Sequence, residues 1–279
     1  MISAATLAVS IVTFRPDAAW LARTLDSLTA ALGAAHAAGL LSRARVFLVD
    51  NGPDGASGAL TELAARHCAA DGGWLAAEVL SGHGNIGYGR GNNLAFAKAG
   101  EVDFLLVLNP DVEIAAEAIR NALGFLAVNP TCGMVTPVAT APDGAPLFLV
   151  KNYPHVWVLA ARGFAPEFLR RMLQRRLDLY DRADRPYDSV LTDARIVSGC
   201  FMLVRRKLFE RMAGFDPAFF LYFEDFDLSY RLSQLAVVAR IPDCRVVHAG
   251  GQASRKGIDH VRMFVRSAIH FFNKHGWRW

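Results

Sequence analysis

Three stretches of this chain carry residue types that could do chemistry. In Phe104-Leu-Leu-Val-Leu-Asn-Pro-Asp111, five apolar residues stop abruptly at a turn ending in a carboxylate. The run is too short for a helix and fits a strand buried on both faces. An aspartate at a strand's C-terminal end lies on the edge where open α/β sheets bind ligands, so Asp111 is a candidate to contact a metal ion or a phosphorylated ligand. It could equally cap a following helix, expected over residues 115–128, with Glu113 in the first turn. In Phe219-Phe-Leu-Tyr-Phe-Glu224-Asp225-Phe-Asp227, an aromatic cluster precedes three carboxylates in four positions. Crowded carboxylates repel one another unless they share a cation or a proton. The plainer reading puts Glu224 and Asp225 in the first turn of a helix over residues 227–235, with Asp227 pairing to Arg231 at i, i+4. Arg245-Val-Val-His248 ends an expected strand on a histidine, most simply a structural one, followed by Ala249-Gly250-Gly251.

The elements that must position these residues alternate. Residues 7–13 and 46–49 read as buried strands ending at Thr13-Phe14-Arg15-Pro16 and at Asp50-Asn51-Gly52. Between them, Leu21, Leu25, Leu28 and Leu32 form one apolar helix face, with Asp17 able to cap it. A helix over residues 59–69 and a strand over 76–80 lead into Ser81-Gly-His-Gly-Asn-Ile-Gly-Tyr-Gly-Arg-Gly-Asn-Asn93, expected as a loop before a helix at 94–99. Glycines at that density let backbone approach a ligand closely. Strict alternation of strand and helix predicts a parallel sheet covered on both faces. Later, Leu169, Met172, Leu173, Leu177 and Tyr180 form one face of a helix whose other side carries Arg170, Arg171, Arg175 and Arg176. Residues 196–204 read as a strand broken at Ser198-Gly199, and residues 206–211 as a short helix. A C-terminal helix presents Phe264, Val265, Ala268, Ile269 and Phe272 on its apolar face.

Composition narrows the class. With 279 residues and 53% hydrophobic content, the chain can build one large α/β domain and is not disordered. It lacks an apolar run of about eighteen residues, so no transmembrane helix is expected. Its start lacks a basic n-region, so a secretory signal is not expected and a cytoplasmic location is. Cys68, Cys132, Cys200 and Cys244 are scattered without a Cys-x-x-Cys pair and read as reduced, buried residues rather than a zinc site. The net charge is only +4, yet seven arginines fall between Arg162 and Arg185 and six basic residues between Arg255 and Arg278. Such patches suit an anionic partner, and a basic amphipathic helix can lie on anionic lipid.

Taken in order, Val9-Ser-Ile-Val-Thr-Phe, Val49-Asp-Asn-Gly, Asn85-Ile-Gly-Tyr-Gly-Arg-Gly-Asn-Asn, Leu108-Asn-Pro-Asp-Val, Glu224-Asp225 and His248 resemble the inverting glycosyltransferases of family 2, and the third and fourth resemble its rhamnosyltransferase-type members. The resemblance covers nearly the whole chain. It implies the GT-A fold, an α/β domain with a single Rossmann-like, mostly parallel central sheet, flanking helices and a C-terminal amphipathic helix. Residues 1–130 would be the nucleotide-sugar-binding half, 131–250 the acceptor and catalytic half, and 251–279 a helical extension. By the same resemblance Thr13, Phe14, Asp50, Gly91, Asn92 and Asn109 would hold the nucleotide-sugar. Asn109-Pro-Asp111 would occupy the family's Asp-x-Asp position, with Asn109 in place of the first Asp and Asp111 binding a divalent cation. His248 would complete the coordination, and two protein ligands plus diphosphate and water suit Mg²⁺ or Mn²⁺. Asp225 would be the catalytic base, with Glu224 orienting substrate hydroxyls.

The implied activity is inverting, metal-dependent transfer of a sugar, L-rhamnose from dTDP-rhamnose as the leading choice, to a saccharide or polyprenyl-diphosphate-linked acceptor in cell-surface polysaccharide synthesis. Galactofuranosyl or hexosyl transfer from a UDP-sugar is the nearest alternative, and a non-catalytic nucleotide-sugar-binding protein a remote one. Peripheral contact with the inner face of the membrane is expected, and no nucleic-acid partner. A dinucleotide-dependent oxidoreductase would need Gly-x-Gly-x-x-Gly directly after the first strand, where this chain has Thr-Phe-Arg-Pro.

Overall fold

In the computed structural model, which describes residues 4–52, 57–68, 73–250 and 257–279, the first half follows the expected alternation. β1 (Ala5–Thr13), α1 (Ala18–Ala37), β2 (Leu41–Asp50), α2 (Ser57–His67), β3 (Leu75–Leu80), α3 (Tyr88–Lys98) and β4 (Phe104–Leu108) succeed one another. Ala69, Gly251, Arg255 and Lys256, which enter the expectations above, lie outside the described residues. β1 pairs parallel with both β2 and β4, and β2 with β3. Asp17 caps α1 by accepting from the Ala19 and Trp20 amides at 2.9 and 3.0 Å.

The second half comprises β5 (Val112–Ile114), α4 (Ala118–Val128), β6 (Cys132–Thr140), β7 (Pro146–Leu147), β8 (Val150–Lys151), α5 (Val156–Phe164), α6 (Glu167–Tyr180), β9 (Ile196–Val197), β10 (Phe201–Arg205), α7 (Arg206–Arg211), α8 (Glu224–Ser233), β11 (Val237–His248) and α9 (Ile258–His275). Among the described residues one nine-stranded sheet runs β3-β2-β1-β4-β10-β6-β11-β5, with β7 beside β6. The parallel order holds through β4; β10 then enters antiparallel to both β4 and β6, so the far side is mixed. The two halves of the chain thus share a single sheet. Alternate β1 residues bury on opposite faces, Leu7, Val9 and Ile11 against α1, and Ala8 and Val12 against α3.

Several boundaries differ from expectation, each for a physical reason. The helix expected from residue 115 starts at Ala118, because Val112-Glu-Ile114 instead pairs as β5 with the end of β11. β11 begins eight residues before Arg245; Pro242 and Asp243 interrupt its apolar pattern, and a register shift between Ile241 and Arg245 absorbs them. The helix expected at 94–99 begins at Tyr88, so Gly89 and Gly91 are helical rather than part of a loop. On α6, Leu177 and Tyr180 are buried but Met172 is 77% exposed. On α9, Val265 and Ile269 are exposed, while Ser267, Ala268, Phe271 and Phe272 are buried. All four cysteines are free and buried. No described helix is long and apolar enough to cross a membrane.

Asp227 is the anchor that holds α9 against α8. It is fully buried, and its carboxylate meets Arg231 at 2.7 Å as expected, but also Lys274 at 2.7 Å and His275 at 2.8 Å. Asp227→Ala would take the buried carboxylate from Arg231 and His275 and leave Lys274 with Asp216 alone, so we expect a loss of about 3 kcal/mol in urea unfolding at pH 7. A loss below about 1 kcal/mol would mean that desolvation cancels the pairing.

Candidate active site

The antiparallel pairing of β5 with β11 sets the first half of the site. Its register places Val112 opposite His248, and the Ala249 amide donates to the Asp111 carbonyl at 3.0 Å. Asp111 and His248, 137 positions apart in sequence, therefore become neighbours, with Asp111 Oδ1 3.3 Å from His248 Nε2. The preceding turn is held from below, where Thr24 Oγ1 donates to the Pro110 carbonyl at 2.9 Å. Because β5 follows Asp111 directly, this aspartate does not cap α4. Gly250 completes the cradle, since a Cβ there would stand 2.1 Å from Asp111 Oδ2 and 3.2 Å from His248 Nε2.

Asp225 enters from the other side. Tyr222 and Phe223 take left-handed backbone angles, φ 71° and 64°, in the turn that starts α8. Such strain in bulky residues persists only where the surroundings enforce it, and it recurs at functional sites. Asp225 Oδ2 accepts from the Gly199 amide at 2.7 Å and Oδ1 from the Phe226 amide at 2.9 Å. Gly199 is the break between β9 and β10, and a Cβ there would lie 3.0 Å from Asp225 Cβ. The two halves meet at Tyr88. Its hydroxyl lies 2.8 Å from Asn109 Oδ1 and 2.9 Å from the Gly199 carbonyl, and Asn109 Nδ2 lies 3.5 Å from His248 Nε2. A continuous set of contacts thus runs from Asp225 through Gly199, Tyr88, Asn109 and His248 to Asp111.

The charges in this cluster are perturbed. Burial outweighs the amide donors and pushes Asp225 up to about 6, while leaving it partly exposed. Glu224 is 4% exposed, and its Oε2 is buried with no hydrogen-bond partner. Burial first, then the Asp225 charge, raises it well above its ordinary value, because two adjacent carboxylates out of water disfavour a second negative charge. Burial alone would lower the His248 imidazole, but Cys200 and Asp111 outweigh it and raise it to about 10. The Tyr88 phenol is held well above its ordinary range by burial and by the Asp225 and Glu224 charges, so it stays a hydroxyl.

Asp111, His248 and Asn109 meet only at long range, with His248 Nε2 3.3 Å from Asp111 Oδ1 and 3.5 Å from Asn109 Nδ2. Asp111 Oδ1 is buried without a hydrogen bond, and the Asn109 amide turns a donor nitrogen toward the imidazole. The imidazole is the charge partner of the Asp111 carboxylate at long range, and a divalent cation between them would replace that contact with direct ligation. Carboxylate oxygen and imidazole nitrogen suit a divalent ion. Among the described residues no three His, Cys, Asp or Glu side chains group as they would to hold a metal ion by themselves.

The other candidates lie along the same rim in different settings. Asp50, at the end of β2 opposite Thr13, is 5% exposed and accepts from the Gly52 amide at 2.9 Å. Phe14 is 54% exposed. The Thr13 hydroxyl is buried and donates to the Val49 carbonyl at 3.2 Å. Gly91 faces the sheet, where a Cβ would meet the Val12 methyls at 3.0 and 3.1 Å, and Asn92 is fully buried and donates to the Tyr88 carbonyl at 3.0 Å. Gly91 thus lets α3 pack closely on β1, while Asn92 Oδ1 is buried without a hydrogen-bond partner. Sequence reasoning missed Tyr88, Gly199 and Gly250; the strand break at Ser198-Gly199 and the His-Ala-Gly-Gly run were the available signals.

The fold is that of the GT-A glycosyltransferases. A mannosyltransferase from Pyrobaculum calidifontis, solved with GDP-Man and Mn²⁺, superposes with a TM-score of 0.63 at 19% identity, over 97% of this chain and 64% of that one. GalNAc-T7, solved with UDP, GalNAc and Mn²⁺, gives 0.60 at 15% identity, over 88% and 43%. The chain belongs to glycosyl transferase family 2, whose sequence profile matches residues 9–213. Similar curated proteins are the N-acetylglucosaminyl-diphospho-decaprenol L-rhamnosyltransferase of Mycobacterium tuberculosis, 27% identical over 210 residues, and rhamnosyltransferase WbbL of Escherichia coli, 27% identical over 185 residues. These matches cover 69% and 61% of this chain, and 66% and 63% of those relatives. Glu224, Asp225 and His248 lie beyond the profile match.

Proposed function

We propose that the protein is an inverting, divalent-cation-dependent glycosyltransferase that moves a sugar, L-rhamnose from dTDP-rhamnose, to a saccharide or polyprenyl-diphosphate-linked acceptor in cell-surface polysaccharide synthesis. The observation that carries this reading is the contact series joining Asp225 to Asp111 and His248 at one sheet edge. Thr13, Phe14 and Asp50 line the nucleotide end, and Asn109 stands between nucleotide-sugar and cation. Asp111 and His248 would hold the cation, the imidazole as its neutral ring. A bound Mg²⁺ or Mn²⁺ supplies charge stabilisation for the departing nucleoside diphosphate. Asp225 accepts the acceptor hydroxyl's proton as that oxygen bonds to sugar C1 and the bond from C1 to the diphosphate breaks on the opposite face. One displacement inverts the anomeric centre. Glu224 orients hydroxyls beside the base.

A cytoplasmic setting with peripheral contact at the inner membrane face suits a lipid-linked acceptor. It is supported by Phe168 and Met172, both exposed on α6 near Arg171 and Arg175. A screen of nucleotide-sugars by nucleotide release with Mn²⁺ tests the donor. Release of dTDP from dTDP-rhamnose is expected. Turnover confined to UDP-sugars would move the assignment to hexosyl or galactofuranosyl transfer, and no turnover with any donor and acceptor pair would refute the enzyme.

A further inference from the structure

We propose that Tyr88 is a positioning residue whose hydroxyl turns the Asn109 carboxamide, so that the amide's carbonyl oxygen faces a cation held by Asp111 and His248. The inference rests on the reading of Asp111 and His248 as cation ligands. In the structure the Tyr88 hydroxyl donates to Asn109 Oδ1, which leaves Nδ2, a donor, 3.5 Å from His248 Nε2. With a cation on Asp111 and His248 that nitrogen would face positive charge, so the amide dipole points the wrong way for the loaded site.

The Tyr88 hydroxyl has one proton and two oxygen neighbours within reach, Asn109 Oδ1 at 2.8 Å and the Gly199 carbonyl at 2.9 Å. When it donates to Gly199 instead, its lone pair is free to accept from Asn109 Nδ2. The amide can then rotate by half a turn, keep a hydrogen bond to Tyr88 and present Oδ1 to the cavity. A phenylalanine could support neither arrangement. The phenol is buried and remains protonated, so the choice between its two acceptors is a rotation of one O–H bond. An aspartate at position 109 would need no such device, because its two oxygens are equivalent. Tyr88 thus keeps the carboxamide bonded in either orientation, so the turn toward the cation sacrifices no hydrogen bond to the phenol.

The test is a double-mutant cycle on the full chain, reading Mn²⁺ affinity by electron paramagnetic resonance with and without dTDP. Tyr88→Phe should weaken Mn²⁺ binding by about three- to tenfold, and Asn109→Asp should bind Mn²⁺ at least as well as wild type. In the Asn109→Asp background, Tyr88→Phe should change the affinity by less than about twofold. An equal loss in both backgrounds would assign Tyr88 to packing alone, and no loss in either would dismiss it. If wild type itself takes up no Mn²⁺, the cation reading falls, and this inference with it. Should Tyr88→Phe melt too low to titrate, the Asn109 side-chain amide resonances of wild type report directly: they should shift on Mg²⁺ addition, and unmoved resonances overturn the proposal.

Discussion

Asp225→Asn should remove transfer, lowering kcat by about 10³- to 10⁴-fold, while the affinity for nucleotide-sugar changes by less than about twofold. The substitution keeps size, and the asparagine carbonyl can still accept from the Gly199 amide, so the loss would report the missing base rather than a displaced loop. Wild type should also show the titration of this group. With Asp225 up at about 6, kcat/KM should fall tenfold per pH unit below that value and level off above it. Glu224, buried beside it, is also raised by burial and by the Asp225 charge, so the two carboxyls should titrate as a coupled pair. Stability runs the other way. A carboxyl whose folded-state value lies above its unfolded one binds its proton more tightly when folded, so its stabilising contribution is present below pH 4 and is lost as pH rises through 6. Asp225→Asn should therefore be at least as stable as wild type at pH 7.5. Retained transfer, or a flat pH profile between 5 and 7, would exclude Asp225 as the base.

Asp111→Asn should weaken Mn²⁺ binding at least tenfold and slow transfer by about 10²-fold or more, since a ligating carboxylate is replaced by a neutral amide beside an imidazole. The backbone bond from the Ala249 amide to the residue 111 carbonyl does not depend on the side chain, so β5 and β11 should stay paired. Loss of the carboxylate also removes the partner that helps hold His248 high, and the imidazole should titrate at lower pH in nuclear magnetic resonance. Wild-type transfer in excess chelator, or an Asp111→Asn enzyme with unchanged Mn²⁺ dependence, would rule out the cation role.

Much of the frame could be read from local pattern, because apolar periodicity and turn residues act over a few positions. β1, α1, β4, α7 and the break between β9 and β10 all lie where the spacing of Leu, Val, Gly and Pro places them. The candidates at strand ends were legible for the same reason: Asp50, Asp111 and His248 each follow an apolar run. The misreadings share a cause as well. Val112-Glu-Ile114 is too short to declare itself a strand, and only its hydrogen bonds to β11 exclude a helix there. Gly89 and Gly91 looked like loop, because a glycine needed for close helix–sheet packing and one needed for a turn are the same letter.

Local sequence thus settled which residue types stand at the carboxyl ends of the strands. It could not settle which of them meet. Asp111 and His248 are joined by a register between strands that are far apart in the chain, and Asp225 is joined to them through a phenol and a glycine amide that no spacing rule identifies. Side-chain chemistry is a property of single positions, whereas convergence, burial and the proton affinities they impose arise only when the sheet closes around them.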